Sequence, residues 1–134
     1  MIAVDTSALM AILFLEEPTR PCATALQSEN DLLISAGTLA EALIVAARRN
    51  VGEELGKLVD NLDFEGVPVT LATARRIEKI YLRWGKGIHP ASLNLGDCFA
   101  YDVAKEYGCR LLYVGDDFAK TDDDFAKTDI ESVL

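Results

Sequence analysis

The stretch Ile2-Ala3-Val4-Asp5-Thr6-Ser7-Ala8-Leu9-Met10-Ala11-Ile12-Leu13 decides the fold. A short β-type run meets an acid, two hydroxyl residues able to cap a helix follow, and an apolar segment begins at once. That is a strand leaving a sheet directly into a buried helix, with a carboxylate at the junction. The apolar run from Ala8 to Leu15 has the greasiness of a secretory leader, yet no basic flank precedes it. It ends in Glu16-Glu17-Pro18 rather than at a small-residue cleavage site, which favours a buried helix.

Outward from this junction the same alternation repeats. A short helix is predicted from about Arg20 to Gln27, and Leu32-Leu33-Ile34 reads as a second strand. Helical spacing then runs from Thr38 to Asn50 and again over Glu53–Leu62. Gly66–Thr70 reads as an edge strand, because Pro68 cannot donate to a ladder. A long helix over Ala72–Trp84 is broken by Gly85 and Gly87, and a loop through His89-Pro90 leads to a helix from Asn94 to Glu106. Leu111-Leu112-Tyr113-Val114 is the clearest buried strand, and Ile130–Leu134 is a candidate last one. The pattern predicts an α/β fold with a central, mostly parallel sheet and helices on both faces, ordered 3-2-1-4-5. The 134 residues suit a single domain spanning 1–134.

Near the end, residues 116–122 read DDFAKTD and residues 123–129 repeat it. Seven residues are too few for a solenoid unit, so this is a local duplication. Only its first copy abuts the strand ending at Val114-Gly115. The second displaces the final strand.

Half of the residues are hydrophobic and the net charge is −9, the wrong sign for passive adhesion to a polyanion. Cys22, Cys98 and Cys109 lack the spacing of a zinc knuckle or a redox pair, which suggests reduced thiols in a cytoplasmic protein. No stretch is long enough to span a membrane. One basic segment stands out: Arg75, Arg76, Lys79, Arg83 and Lys86, with Tyr81 and Trp84 interleaved and Glu78 as the one acid among them. It is a candidate track for a nucleic-acid backbone, or simply a solvated helix face.

Four acids, Asp5, Glu41, Asp97 and Asp117, fall where the chain leaves a strand or enters a helix. Each has a plain structural reading. Asp5 could cap, Thr38 to Glu41 matches a capping box, Asp97 suits a helix N-terminus, and Asp116 and Asp117 suit a turn. Capping alone does not explain why all lie at the carboxyl ends of neighbouring strands, where open α/β sheets place their chemistry. Clustered carboxylates raise one another's pKa, and a hard divalent cation relieves that repulsion. Such a site supports phosphodiester hydrolysis. No lysine-bearing phosphate loop, GxSxG elbow or HExxH occurs. A phosphatase with Asp5 as nucleophile would need a second acid at Ser7. A partner-binding domain whose acids only cap helices stays open, as does a structure-specific DNA nuclease.

The segments VDTSALMAIL (4–13), TLAEAL (38–43), LNLGDCFAYDVAKEYG (93–108) and LLYVGDDFAKTD (111–122) together resemble the PIN-domain nucleases, and among them the VapC toxins of VapBC toxin–antitoxin pairs. The resemblance implies a three-layer α/β/α PIN-like domain and an endoribonuclease dependent on Mg²⁺ or Mn²⁺. It implies a tRNA or rRNA substrate, a VapB-like antitoxin and a homodimer formed through the helices around residues 39–62. It places metal ligation and catalysis on Asp5, Glu41, Asp97 and Asp117, with Asp116 as the neighbour of the fourth acid. Thr6 and Ser7 would orient Asp5 or a ligand water, and Arg75, Arg76, Lys79, Arg83 and Lys86 would line the RNA path. The duplicated heptad departs from the family pattern.

Overall fold

The computed structural model describes residues 1–14 and 19–121. Four strands, β1 (Ile2–Val4), β2 (Leu32–Ser35), β3 (Glu65–Val67) and β4 (Arg110–Leu112), form one sheet in the order β3-β2-β1-β4. Every pairing is parallel, with Ala3 opposite both Leu33 and Leu111. This matches the first four strands of the expected order. The candidate fifth strand and the second DDFAKTD copy lie outside the described residues.

Side chains alternate along each strand, as the pleat requires. Ile2, Val4, Leu32, Ile34 and Leu112 face one core, packed with residues of α1 (Thr6–Leu13), α2 (Thr19–Gln27), α3 (Ala36–Arg48) and α4 (Gly52–Leu62). Ala3, Leu33, Leu111 and Tyr113 face the other, against α5 (Leu71–Trp84) and α6 (Leu95–Tyr107). The result is three layers, helix on sheet on helix. Among the described residues no helix is long and apolar enough to cross a membrane.

Several boundaries differ from the sequence reading for local reasons. Asp5, rather than Thr6 or Ser7, is the N-cap of α1, accepting from the Ser7 amide at 3.1 Å. Ser35 caps α3, so that helix begins before Thr38 and the expected Thr38–Glu41 capping box does not form. Thr38 is instead fully buried one turn in. β3 does lie at the sheet edge but stops at Val67, before Pro68. Asn94 caps α6 as expected, and Gly108 ends it in the left-handed conformation. His89 stacks edge-on to Trp84 and its Nδ1 accepts from the Ala91 amide at 3.0 Å, a role in shaping the loop. Cys22 and Cys98 are buried free thiols, and Cys109 is half-buried.

A two-pronged ion pair clamps α5 to α6. Arg76 donates from Nε to Asp102 Oδ1 at 2.7 Å and from Nη2 to Oδ2 at 3.0 Å, and Glu106 lies 2.9 Å from Nε. Asp102 is buried, so Arg76→Ala strands a carboxylate in the interior. Urea unfolding should show a loss of about 2 kcal/mol, since the cost of an unsatisfied buried group outweighs the bond's net worth.

Candidate metal centre

The chain runs from β1 outward through β2 to β3, then returns across the sheet to β4 on the other side of β1. The switch point therefore lies between β1 and β4, at their carboxyl ends. Asp5 sits there, its amide donating to Leu112 O at 3.0 Å. It is only 4% exposed.

The carboxylate of Asp5 is held on one side and left open on the other. Oδ2 accepts from the Ser7 amide and, at 2.6 Å, from Ser7 Oγ. Ser7 Oγ in turn accepts from the Val114 amide at 3.0 Å, which ties the segment after β4 to the start of α1. Among the described residues, the buried Oδ1 has no hydrogen-bond partner. A buried charged oxygen without a partner is costly, and natural structures seldom keep one without a use.

Glu41 enters from α3. Its Oε1 accepts from Thr6 Oγ1 at 2.7 Å, so Thr6 orients the second acid, while Ser7 orients the first. Two glycines let α3 approach α6. A Cβ at Gly37 would stand 2.6 Å from the Phe99 ring, and one at Gly96 would stand 2.1 Å from Glu41 Oε2. Gly96 was not among the residues singled out from sequence, because a glycine in a first helical turn looks like a weak helix position. Here its missing side chain makes room for the Glu41 carboxylate against the start of α6.

Asp97 is the third residue of α6. Its Oδ2 accepts from the Asn94 amide at 3.0 Å, while Asn94 Oδ1 accepts from the Asp97 amide at 2.8 Å. The capping reading of Asp97 thus holds, but it occupies one oxygen only. Asp117 follows β4 at the head of a short 3-10 turn, Phe118–Lys120, anchored by buried Phe118 packing 4.9 Å from Tyr113. Asp116 turns instead to Lys120, 3.9 Å away, in an exposed ion pair.

Asp5 and Asp97 sense neighbouring acids. Burial pushes the Asp5 carboxyl up to about 7; the Ser7 bonds oppose this, and the Asp97 and Glu41 charges add to it. Burial likewise raises Asp97 to about 6, opposed by the Asn94 amide and reinforced by Asp117 and Glu41. Between the model-peptide value of 3.8 and about 7, the folded chain therefore holds a proton on Asp5 that the unfolded chain has released. Stability without metal falls as pH rises through that window, by on the order of 4 kcal/mol at most for Asp5. Melting in EDTA should show a lower Tm at pH 8 than at pH 5. A flat or rising profile would contradict the buried charge.

Among the described residues no group of three or more His, Cys, Asp or Glu side chains is arranged to hold a metal ion. That suits a Mg²⁺-like ion, which typically takes one or two carboxylates and fills its remaining positions with water and phosphate. The open Asp5 Oδ1 fits such an ion.

The basic residues of α5 do not form one track. Arg76 is paired with Asp102 and Glu106. It shares a groove with Lys79, Arg83 and Trp84 on the side of α5 facing the body of α6. Arg83 stacks over Trp84, 4.5 Å from the ring centroid. Lys86 lies in a separate groove with Asn94 and Leu95, at the start of α6. Arg75 lines neither groove among those described.

A PIN-domain sequence profile matches residues 2–124. Ribonuclease VapC36 of Mycobacterium tuberculosis is 40% identical over 124 residues, covering 89% of this chain and 88% of its own. A toxin–antitoxin complex from Klebsiella pneumoniae contains a chain of the same fold, with a TM-score of 0.68 and 19% identity over 91% of this chain and 93% of that one. VapC20 of Mycobacterium tuberculosis, a toxin that cleaves the sarcin-ricin loop, matches with a TM-score of 0.68 and 16% identity over 96% and 95% of the two chains. With its acids gathered at the switch point and its sequence matched nearly end to end, the chain belongs to the PIN-domain family, in its VapC branch.

Proposed function

We propose that this PIN-domain nuclease is the toxin of a type II toxin–antitoxin pair and hydrolyses phosphodiester bonds of RNA in the cytoplasm with Mg²⁺ or Mn²⁺. The observation that carries the metal is the buried Oδ1 of Asp5, unpartnered among the described residues, in a carboxylate that feels the charges of Asp97 and Glu41. Asp5 and Asp97 would hold the ion, with Glu41 and Asp117 completing the pocket. Bound there, the cation supplies Lewis-acid chemistry, activating a water and stabilising charge on the phosphoryl group.

The chain's own residues set up that chemistry. Ser7 holds the Asp5 carboxylate through Oδ2 and leaves Oδ1 unbonded among the described residues. Thr6 holds Glu41 through Oε1, and the Asn94 amide holds Asp97 through Oδ2. Burial around Asp5 excludes bulk water, which strengthens every electrostatic interaction inside. Lys86 shares a groove with Asn94, the residue that caps the helix of Asp97, and a negative chain needs such local help to hold a polyanion.

The RNA assignment is supported by the ribonuclease relatives, and a structured rRNA or tRNA target by the sarcin-ricin-loop activity named for VapC20. A VapB-like antitoxin is supported by the Klebsiella pneumoniae complex. Leu43 and Ile44, exposed on α3, support a homodimer across α3 and α4. Adding Mn²⁺ to EDTA-stripped protein at pH 8 should raise its Tm, with roughly 2.7 kcal/mol gained at about 100 times Kd. The loaded protein should then cut RNA and spare the matched DNA strand. No thermal response across a wide Mn²⁺ range would exclude the metal site, and equal cutting of DNA would exclude the substrate.

A further inference from the structure

A groove of about 450 Å³ runs between the second half of α5 and the start of α6. Its walls are Ile77, Tyr81, Leu82 and Leu95, and its exposed surface is overwhelmingly apolar. Leu82 is 63% exposed and Leu95 is 59% exposed, so two large aliphatic side chains face water beside the acids. Exposed aliphatics that border a cleft mark a place where something binds.

The groove is joined to the metal centre by consecutive residues. Asn94 and Leu95 line it, and Asn94 exchanges both capping bonds with Asp97. Lys86 stands at the same end, its backbone fixed on both sides: its amide donates to Leu93 O at 2.9 Å, and its carbonyl accepts from Tyr81 Oη at 3.3 Å. Among the described residues it has no ion-pair partner, unlike Arg76. Glu78 lies further back along α5, the groove's one carboxylate.

We propose that this groove is a nucleobase subsite for the RNA substrate, taking the unstacked base beside the scissile phosphate. The order of chemistry along it is that of a nucleotide. A cation near the reacting centre pairs with a phosphate, apolar walls with one aromatic ring take a base face, and a carboxylate beyond offers acceptors to an exocyclic amine while repelling phosphate. Single-stranded RNA is recognised in this manner, by stacking and by the polar edge of a splayed base. The subsite rests on the ribonuclease reading above.

The test compares two fluorescein-labelled RNA 12-mers of mixed sequence, one intact and one abasic throughout, by anisotropy in EDTA so that nothing is cut. Wild-type protein should bind the intact strand about tenfold more tightly. A Leu82→Ser/Leu95→Ser protein, altered only at exposed positions, should lose that preference and keep its affinity for the abasic strand. Lys86→Ala should weaken both strands alike. Equal wild-type affinity for the two strands, or no binding of either, overturns the subsite. So does an unchanged preference in the double-serine protein. If that protein instead sediments as a smaller species than wild type with RNA preference intact, the groove is a contact between copies of the chain. Cleavage by metal-loaded wild type, lost in Asp97→Asn, separates failure of the subsite from failure of the nuclease reading.

Discussion

Asp5→Asn protein loses at least a hundredfold of its RNA cleavage and, at pH 8 in EDTA, melts at a higher temperature than wild type. The two effects have one cause. Asp5 is a charge held out of water with one oxygen unpaired, which weakens the metal-free fold and suits it to a cation. Neutral asparagine removes the desolvation cost, although its own Nδ2 stays unpartnered and returns part of the gain. Groups around metal ligands typically contribute ten- to a hundredfold, so a ligand itself should contribute at least that. Asp97→Asn should lose activity similarly, with a smaller thermal gain because Asp97 is less buried. Cleavage of a total tRNA pool by purified variants, beside their melting curves, checks both halves. Full activity in Asp5→Asn sinks the mechanism. Opposite shifts in stability and activity are expected where a site is strained for function.

Gly96→Ala should lower Mn²⁺ affinity ten- to a hundredfold without unfolding the protein. Alanine is the better helix former by about 1 kcal/mol, so the substitution taken alone favours α6. The obstacle is local: the added methyl would fall 2.1 Å from Glu41 Oε2, and the far end of that side chain must swing away. It then leaves both the pocket and the Thr6 hydroxyl. The decisive measurement is a double-mutant cycle read by Mn²⁺ titration calorimetry. In a Glu41→Ala background there is no carboxylate to displace, and Gly96→Ala should cost nothing further. Additive losses would show that Gly96 acts on something other than Glu41.

The sequence exposed what depends on neighbours along the chain and hid what depends on contacts across it. Asp5 was legible because strand, acid and helix are contiguous, and so was the Asn94–Asp97 capping box. Parallel order could be read from the alternation of strands and helices. The start of α3 was misplaced because Ser35-Ala36-Gly37 resembles a turn, yet Ser35 caps the helix and Gly37 is small to admit Phe99. Arg76 looked like its basic neighbours until Asp102, twenty-six residues later, was seen to claim it. The same holds for Gly96, whose need for smallness comes from a side chain on another helix. The split of the basic segment into two grooves follows from where α6 packs, which no local pattern encodes.

The pairing of β1 with β4 and the Ser7–Val114 bond join distant parts of the chain, the bond spanning 107 positions. A ribosome emits this chain from the amino end, and Asp5 emerges long before the strand that flanks it. Until residues 110–114 leave the exit tunnel, the first carboxylate has no wall on that side and Asp117 has not been presented. A growing chain that still lacks β4 therefore lacks one wall of the Asp5 site.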